Sequence, residues 1–325
     1  MKFSGITLVT GAAGFMGSHV VEHIVKKGIR VRATARARKD VSFFEKLGVE
    51  YVAADLTKPD TLPQLFAGDV DRVFHLGAIC DFSTPYSKLY PTNVAGVGHI
   101  TKLALEKKVK SFVHVTSTSV YGYYSGTAYK ETDKRHPEND YGKSKAEGEN
   151  IVFHRITEGL PAVIIRPCTV YGPRCNDGAG KAFSRPTSIS AIPGSGKQLL
   201  SNVRAEDVAT ALEHLSLKQG IIGQVFNIAE NSNPTLEQAL VMAAKTYQTK
   251  IPILHLPLSL VKIISLIDGF ISGLKGKIPD LEYEAVKYLY YDYVVDNKKL
   301  EDSGFKLQNP DFMASMKQLG KLYKP

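Results

Sequence analysis

Through the first 170 residues, short apolar runs alternate with stretches whose apolar positions recur every three or four residues. The runs at 6–10, 30–35, 50–53, 71–76, 111–116 and 162–166 are short and rich in Val, Ile and Phe. Such runs read as buried strands. Helical spacing between them predicts helices near 17–27, 42–47, 60–67, 92–107 and 141–158. Strand and helix in strict alternation predict βαβ units, hence an α/β fold with a doubly wound parallel sheet and helices on both faces. Right-handed crossovers then place ligands at the carboxyl ends of the strands. We divide the chain into a dinucleotide-binding unit at 1–166 and a smaller C-terminal substrate-binding lobe at 167–325. That lobe is interleaved with the last sheet strands, of which Gln224-Val225-Phe226-Asn227-Ile228 is one.

One later stretch breaks the ordinary pattern. From Ser259 the polar residues Ser259, Lys262, Ser265, Asp268 and Ser272 form only a narrow stripe on a helix that is otherwise apolar. A helix of this kind must bury two faces. Its second face meets core, an apolar substrate, another subunit, or a membrane surface through 258–274. Tyr283, Tyr288, Tyr290, Tyr291 and Tyr293 follow, aromatic area suited to a flat apolar ligand or to a core.

Composition narrows the class. The chain has 325 residues, 43% hydrophobic and 22% charged, as expected of a soluble globular protein. Its net charge of +9 is scattered, with no basic stripe interleaved with aromatics, which argues against nucleic acid as a partner. Cys80, Cys168 and Cys175 form no CxxC pair and no metal-ligand spacing, so no metal is expected and the thiols suit a reducing cytoplasm. The glycine-rich turn comes too early for a signal peptide, and no stretch is apolar enough to cross a bilayer.

The candidate chemistry starts in that turn, Thr10-Gly11-Ala12-Ala13-Gly14-Phe15-Met16-Gly17. It lies between a strand and a helix, where glycines admit a pyrophosphate to the helix N-terminus. Gly11, Ala13, Gly14, Phe15, Met16 and Gly17 are the candidate contacts. The second strand ends without an acid, in Arg36-Ala37-Arg38-Lys39. Cations here suit a ribose 2′-phosphate, so Arg36 and Arg38 favour NADP over NAD. Asp55 and Leu56 after the third strand are placed to meet adenine, although Asp55 suits a helix cap equally well. Gly77 and Ala78 at the end of the fourth strand leave room for a flat ligand or for close packing.

The fifth strand runs into Thr116-Ser117-Thr118-Ser119-Val120-Tyr121-Gly122, and Tyr141-Gly142-Lys143-Ser144-Lys145 opens a helix. Four-residue spacing puts Tyr141 and Lys145 on one face, where an ammonium favours the phenolate of a phenol whose ordinary pKa is about 10. With Gly11-x-x-Gly14-x-x-Gly17, Asp55-Leu56, Ser117-x-x-x-Tyr121-Gly122 and Arg166-Pro167-x-x-Val170-Tyr171-Gly172-Pro173, these residues stand in the order of one family. From residue 4 to about 312 the chain resembles an extended short-chain dehydrogenase/reductase, a Rossmann-type fold. The resemblance implies Tyr141 as general acid/base. It implies Lys145 as its tuner and a ribose ligand, and Ser117 or Thr118 as the group holding the substrate oxygen. Pro167, Cys168 and Val170 would line the nicotinamide. Asn93 matches a family asparagine that bridges backbone groups. Family members commonly pair as homodimers, here through the 92–107 and 141–158 helices.

Two departures separate the chain from the sugar-nucleotide epimerases and dehydratases of that family. Thr169 replaces their asparagine before Tyr171-Gly172-Pro173, and Leu199-Leu200 occupy the approach to Val203-Arg204-Ala205-Glu206-Asp207. Only Arg174 and Arg204 then remain to bind a sugar diphosphate, which needs paired cations. The chain is most similar to the 3β-hydroxysteroid dehydrogenase-like and dihydroflavonol reductase-like branch. The expected activity is NADP(H)-dependent hydride transfer to or from a secondary alcohol or ketone of an apolar molecule. NAD-dependent epimerisation or dehydration of a sugar nucleotide is the alternative.

Overall fold

The first apolar run becomes β1 (Ile6–Thr10), and the others follow as β2 (Val31–Ala35), β3 (Glu50–Ala53), β4 (Val70–His75), β5 (Ser111–Val115) and β6 (Ala162–Pro167). This computed structural model describes residues 3–36, 41–123, 126–176, 178–185, 191–277 and 279–322. Two short strands, β7 (Thr169–Tyr171) and β9 (Asn202–Arg204), pair in parallel, as do β8 (Ala191–Pro193) and β11 (Leu254–Leu256). The seventh strand of the main sheet is β10 (Val225–Ile228), which returns from beyond residue 166 to pair with β6. The sheet order is β10-β6-β5-β4-β1-β2-β3, all parallel. Winding reverses between β1 and β4, and an open sheet binds ligands over that reversal.

Eleven α-helices are described: α1 (Phe15–Lys26), α2 (Ser42–Lys46), α3 (Tyr86–Tyr90), α4 (Gly96–Glu106), α5 (Asp140–Thr157), α6 (Ala205–Leu217), α7 (Leu236–Thr246), α8 (Leu258–Leu274), α9 (Tyr283–Tyr288), α10 (Lys298–Asp302) and α11 (Phe312–Leu322). Alternate strand residues point to opposite faces. Val9, Val113 and Ile165 therefore pack with Val20 and Ile24 of α1 and Val208 and Leu212 of α6. Their neighbours Leu8, Phe112 and Ile164 pack with Ile100 of α4 and Val152 of α5. A third core joins Tyr171, Phe183 and Leu240 to Phe312 and Met316.

Two expected helices differ from their prediction, both at prolines. Residues 60–67 form two single turns, Pro59–Thr61 and Pro63–Phe66, because Pro63 has no N–H to continue the ladder. The helix expected from 92 starts at Tyr86 and passes through a wide π-turn at Pro91–Ala95 before α4. That turn carries Asn93 inward, where it is buried.

Candidate active site

The glycine turn is built by close approach. Gly11 has a left-handed φ of 66°, and a Cβ there would lie 2.8 Å from the Gly77 nitrogen. A Cβ on Gly17 would lie 2.1 Å from the Gly11 carbonyl oxygen. The ends of β1 and β4 and the start of α1 thus meet with no room for side chains. Gly14 is exposed at the N-cap of α1, with no side chain capping the helix, and Ala13, Phe15 and Met16 beside it are half-buried. Thr10 Oγ1 accepts from the Gly77 N–H at 3.1 Å and bonds His75 Nδ1 at 2.7 Å. Leu56 lies over Gly77, whose added Cβ would stand 2.7 Å from its Cδ1, and Ala78 follows half-buried. A bare cradle at the N-terminus of a 12-residue helix fits a dinucleotide pyrophosphate.

Arg36 is exposed directly after β2, while Arg38 lies outside the described residues. Asp55 accepts from the Thr57 N–H at 2.9 Å and the Thr57 hydroxyl at 2.8 Å. Burial would raise its pKa, but those bonds and the nearby Arg36 hold it below the ordinary value. At the end of β6, Pro167 and Cys168 are buried and Val170 half-buried. The Cys168 N–H bonds the Ile228 carbonyl at 3.2 Å.

The hydroxyl cluster follows β5. Ser117 caps a single turn, Thr118–Tyr121, accepting the Ser119 N–H at 3.1 Å and donating to Ser119 Oγ at 3.0 Å. Ser117 remains half-buried, whereas Thr118 is buried and its carbonyl accepts from the Tyr293 hydroxyl at 2.6 Å. Of the two candidates, Ser117 is the one whose hydroxyl acts on the Tyr141 phenol, pulling its pKa down. Tyr141 lies in the first turn of α5, which Asn139 caps by accepting the Gly142 N–H at 2.7 Å. Lys145 lies one turn on, buried, its Nζ donating to the Val115 carbonyl at 2.9 Å.

Electrostatics here differ from the expectation that Lys145 lowers the phenol. Burial first, and then Cys80, push the Tyr141 pKa well above 10, with Ser117 pulling back weakly. The ammonium is directed at a carbonyl instead, and burial lowers its own pKa to about 8. At neutral pH Tyr141 is therefore a phenol and a proton donor.

The structure also assembles residues that sequence reasoning did not place here. Cys80 acts on both Tyr141 and Lys145, and the Phe82 ring stands edge-on to Tyr141 at 5.2 Å. Asn93 pins this segment, accepting the Ile79 N–H at 2.8 Å and donating to the Ile79 carbonyl and Ser144 Oγ, each at 2.9 Å. From the far end of the chain, Glu282 accepts the N–H groups of Phe82 at 2.5 Å and Ser83 at 3.0 Å. The only local signal was the Asp81-Phe82-Ser83-Thr84 turn, in which Asp81 accepts from Ser83 and Thr84.

Burial first, then its hydrogen bond with Asp81, raises the Glu282 pKa to about 8. An unfolded glutamate titrates near ~4.3. The native state thus holds a proton that the unfolded chain has released, so between about pH 4.5 and pH 8 stability falls as pH rises. Glu282→Gln keeps an acceptor and removes the titration. Its melting temperature should decline less than the wild type's between pH 5 and pH 8; parallel declines would rule this contribution out.

A glycine-lined switch point and a Ser–Tyr–Lys set are the motifs of the extended short-chain dehydrogenase/reductase class. The chain belongs to the NAD dependent epimerase/dehydratase family, whose profile matches residues 7–229. It is 27% identical over 294 residues to sterol demethylase protein B of Methylococcus capsulatus, covering 87% of this chain and 88% of that protein. It is 24% identical over 263 residues to the 4-hydroxy-2-methyl-3-oxo-4-farnesyl-3,4-dihydroquinoline-1-oxide ketoreductase of Stigmatella aurantiaca, covering 77% and 76%. UDP-glucose 4-epimerase from Thermotoga maritima shares the fold, with a TM-score of 0.76, 20% identity and 97% of each chain covered.

Proposed function

We propose that the protein is an NADP(H)-dependent oxidoreductase acting on a secondary alcohol or ketone of an apolar, steroid-, flavonoid- or polyketide-like molecule. The observation that carries this reading is the aromatic wall beside Tyr141. Phe82 packs against Tyr288 at 5.6 Å, and Tyr288 against Tyr123 at 4.6 Å and Tyr293 at 5.1 Å. The two arginines available to a sugar diphosphate are both engaged elsewhere. Arg174 forks onto Glu22 at 3.0 and 2.8 Å, and Arg204 onto Glu206 at 3.0 and 2.5 Å. The sterol demethylase and ketoreductase among its relatives agree with an apolar substrate.

The residues around Gly11, Gly14 and Gly17 would hold the pyrophosphate, Arg36 and Arg38 the 2′-phosphate, and Pro167, Cys168 and Val170 the nicotinamide. The bound nicotinamide supplies or accepts the hydride. In reduction Tyr141 gives its proton to the carbonyl oxygen while the Ser117 hydroxyl orients that oxygen. The raised pKa of Tyr141 favours this direction. Lys145, one helical turn on from Tyr141 and bonded to the Val115 carbonyl, would contact the ribose, and its charge is lost as pH rises through about 8.

Melting shifts with NADP and NAD, followed by sterols, flavonoids and UDP- or GDP-sugars, test the reading. A shift with NADP and an apolar ketone is expected. A shift with NAD and a sugar nucleotide alone would replace it by the epimerase alternative. Arg36→Ala should weaken NADP about tenfold and leave NAD within about twofold, since charge-assisted hydrogen bonds contribute ~1.5–3 kcal/mol. Equal losses for the two cofactors would remove Arg36 from the 2′-phosphate.

A further inference from the structure

The α8 helix is built inside out. Its buried residues are Val261 and Ser265, with Asp268, Gly269 and Ser272 half-buried beside them. Its solvent side carries Leu260, Ile263, Ile264, Leu266, Ile267, Phe270, Ile271 and Leu274, each at least 41% exposed, with Phe270 at 70%. At roughly 100° per residue these eight cover an arc of roughly 160°, interrupted only by Ser259 near one edge. The approach to the helix adds exposed Ile251, Ile253 and Leu254, so the apolar surface continues onto β11. Single exposed leucines are ordinary, but a contiguous face of this composition marks an interaction site.

Charge identifies the occupant. Between residues 250 and 277 stand four lysines, Lys250, Lys262, Lys275 and Lys277, all exposed, against one carboxylate. That carboxylate, Asp268, is turned inward, accepting the Leu281 N–H at 2.8 Å and the Ser272 hydroxyl at 3.2 Å. Lys262 and Lys275 fall just outside the two edges of the apolar arc. Apolar side chains flanked by cations match a layer of acyl chains beneath anionic head groups. A second copy of the chain would bring the same lysines to the contact and repel. The helix is 17 residues long, and no helix among the described residues is long and apolar enough to cross a membrane.

We propose that α8, with the strand leading into it, docks the protein on the surface of an anionic lipid bilayer, lying in the headgroup region without spanning it. The helix that carries the docked face is one element removed from the candidate site. The α8 helix packs on α9, where Tyr288 contributes to the aromatic wall, and Glu282 just before α9 holds the 82–83 segment. The docking itself is independent of the proposed substrate.

Flotation of the full chain tests it, using vesicles of phosphatidylcholine alone or mixed with phosphatidylserine. Binding to the mixed vesicles is expected, decreasing as salt shortens electrostatic range. Reversing Lys275→Glu and Lys277→Glu together should cost at least about tenfold in vesicle affinity. The pair Ile267→Glu and Phe270→Glu, at exposed positions, should abolish binding without lowering the melting temperature. Wild-type protein that stays off anionic vesicles overturns the proposal, as does undiminished binding by the Ile267/Phe270 variant. A wild-type dimer that this variant converts to monomer in light scattering would instead assign the face to a second copy. Neither result bears on turnover, which Tyr141 tests separately.

Discussion

Tyr141→Phe should lower turnover about a thousandfold, within the range lost with a positioned general acid, and leave the NADP melting shift within about a degree of the wild type's. The substitution removes one oxygen from a ring that is 5% exposed and already packed edge-on against Phe82. The wall therefore stays filled, and Lys145, held by the Val115 carbonyl, does not depend on the phenol for its position. A loss of cofactor binding together with turnover would mean that the hydroxyl supports the nucleotide. Retained turnover would end the assignment, leaving a nucleotide-binding protein without an identified acid. The pH profile adds a second check. Burial and Cys80 hold the phenol well above its ordinary pKa, so reduction should not lose its proton donor across the neutral range. The first alkaline loss should come near pH 8, where Lys145 gives up its charge.

What the sequence made legible follows from the range of the interactions involved. The strands at 6–10 and 50–53 agree residue for residue with β1 and β3; β1 is legible because a buried parallel strand is a continuous apolar run, whereas β3 lies at the sheet edge with no residue fully buried. Tyr141 and Lys145 could be paired because helical geometry alone relates positions four apart. Pro63 cut a pattern whose apolar spacing was otherwise helical, for want of an N–H, whereas the helix expected from 92 starts earlier, at Tyr86, and widens to a π-turn at Pro91. The electrostatics of Tyr141 were not legible, since they depend on burial and on Cys80, next to the Ile79 backbone that Asn93 clasps. Glu282 lies 200 residues from its partner Phe82, a separation that no local pattern encodes. The narrow polar stripe at 259–272 was visible, but its direction was not. Only the fold turns Ser265 and Asp268 inward and leaves the leucines and isoleucines facing out.

Glu149→Leu should destabilise the protein by about 3–5 kcal/mol, the cost of leaving a buried cation unpaired. Glu149 is fully buried on α5, and Arg166 on β6 forks onto it at 2.8 and 2.6 Å. Arg135 reaches the same carboxylate at 3.0 Å from the side. The remaining Arg166 donor meets the Tyr121 hydroxyl at 2.8 Å, which in turn donates to Asn227 on β10 at 2.8 Å. One carboxylate thus ties the Tyr141 helix, the last two sheet strands and the turn that Ser117 caps. Domains are commonly stable by only ~5–15 kcal/mol, so this single loss is a large share. Urea denaturation measures it as a lower midpoint at unchanged slope. Glu149→Gln, which keeps the acceptor but not the charge, should cost less. Glu149→Leu combined with Arg166→Met should regain part of the loss, because neither charge then remains in the core. A loss under about 1 kcal/mol for Glu149→Leu would place the pair with weak surface bridges and leave another contact to fix the helix on the sheet.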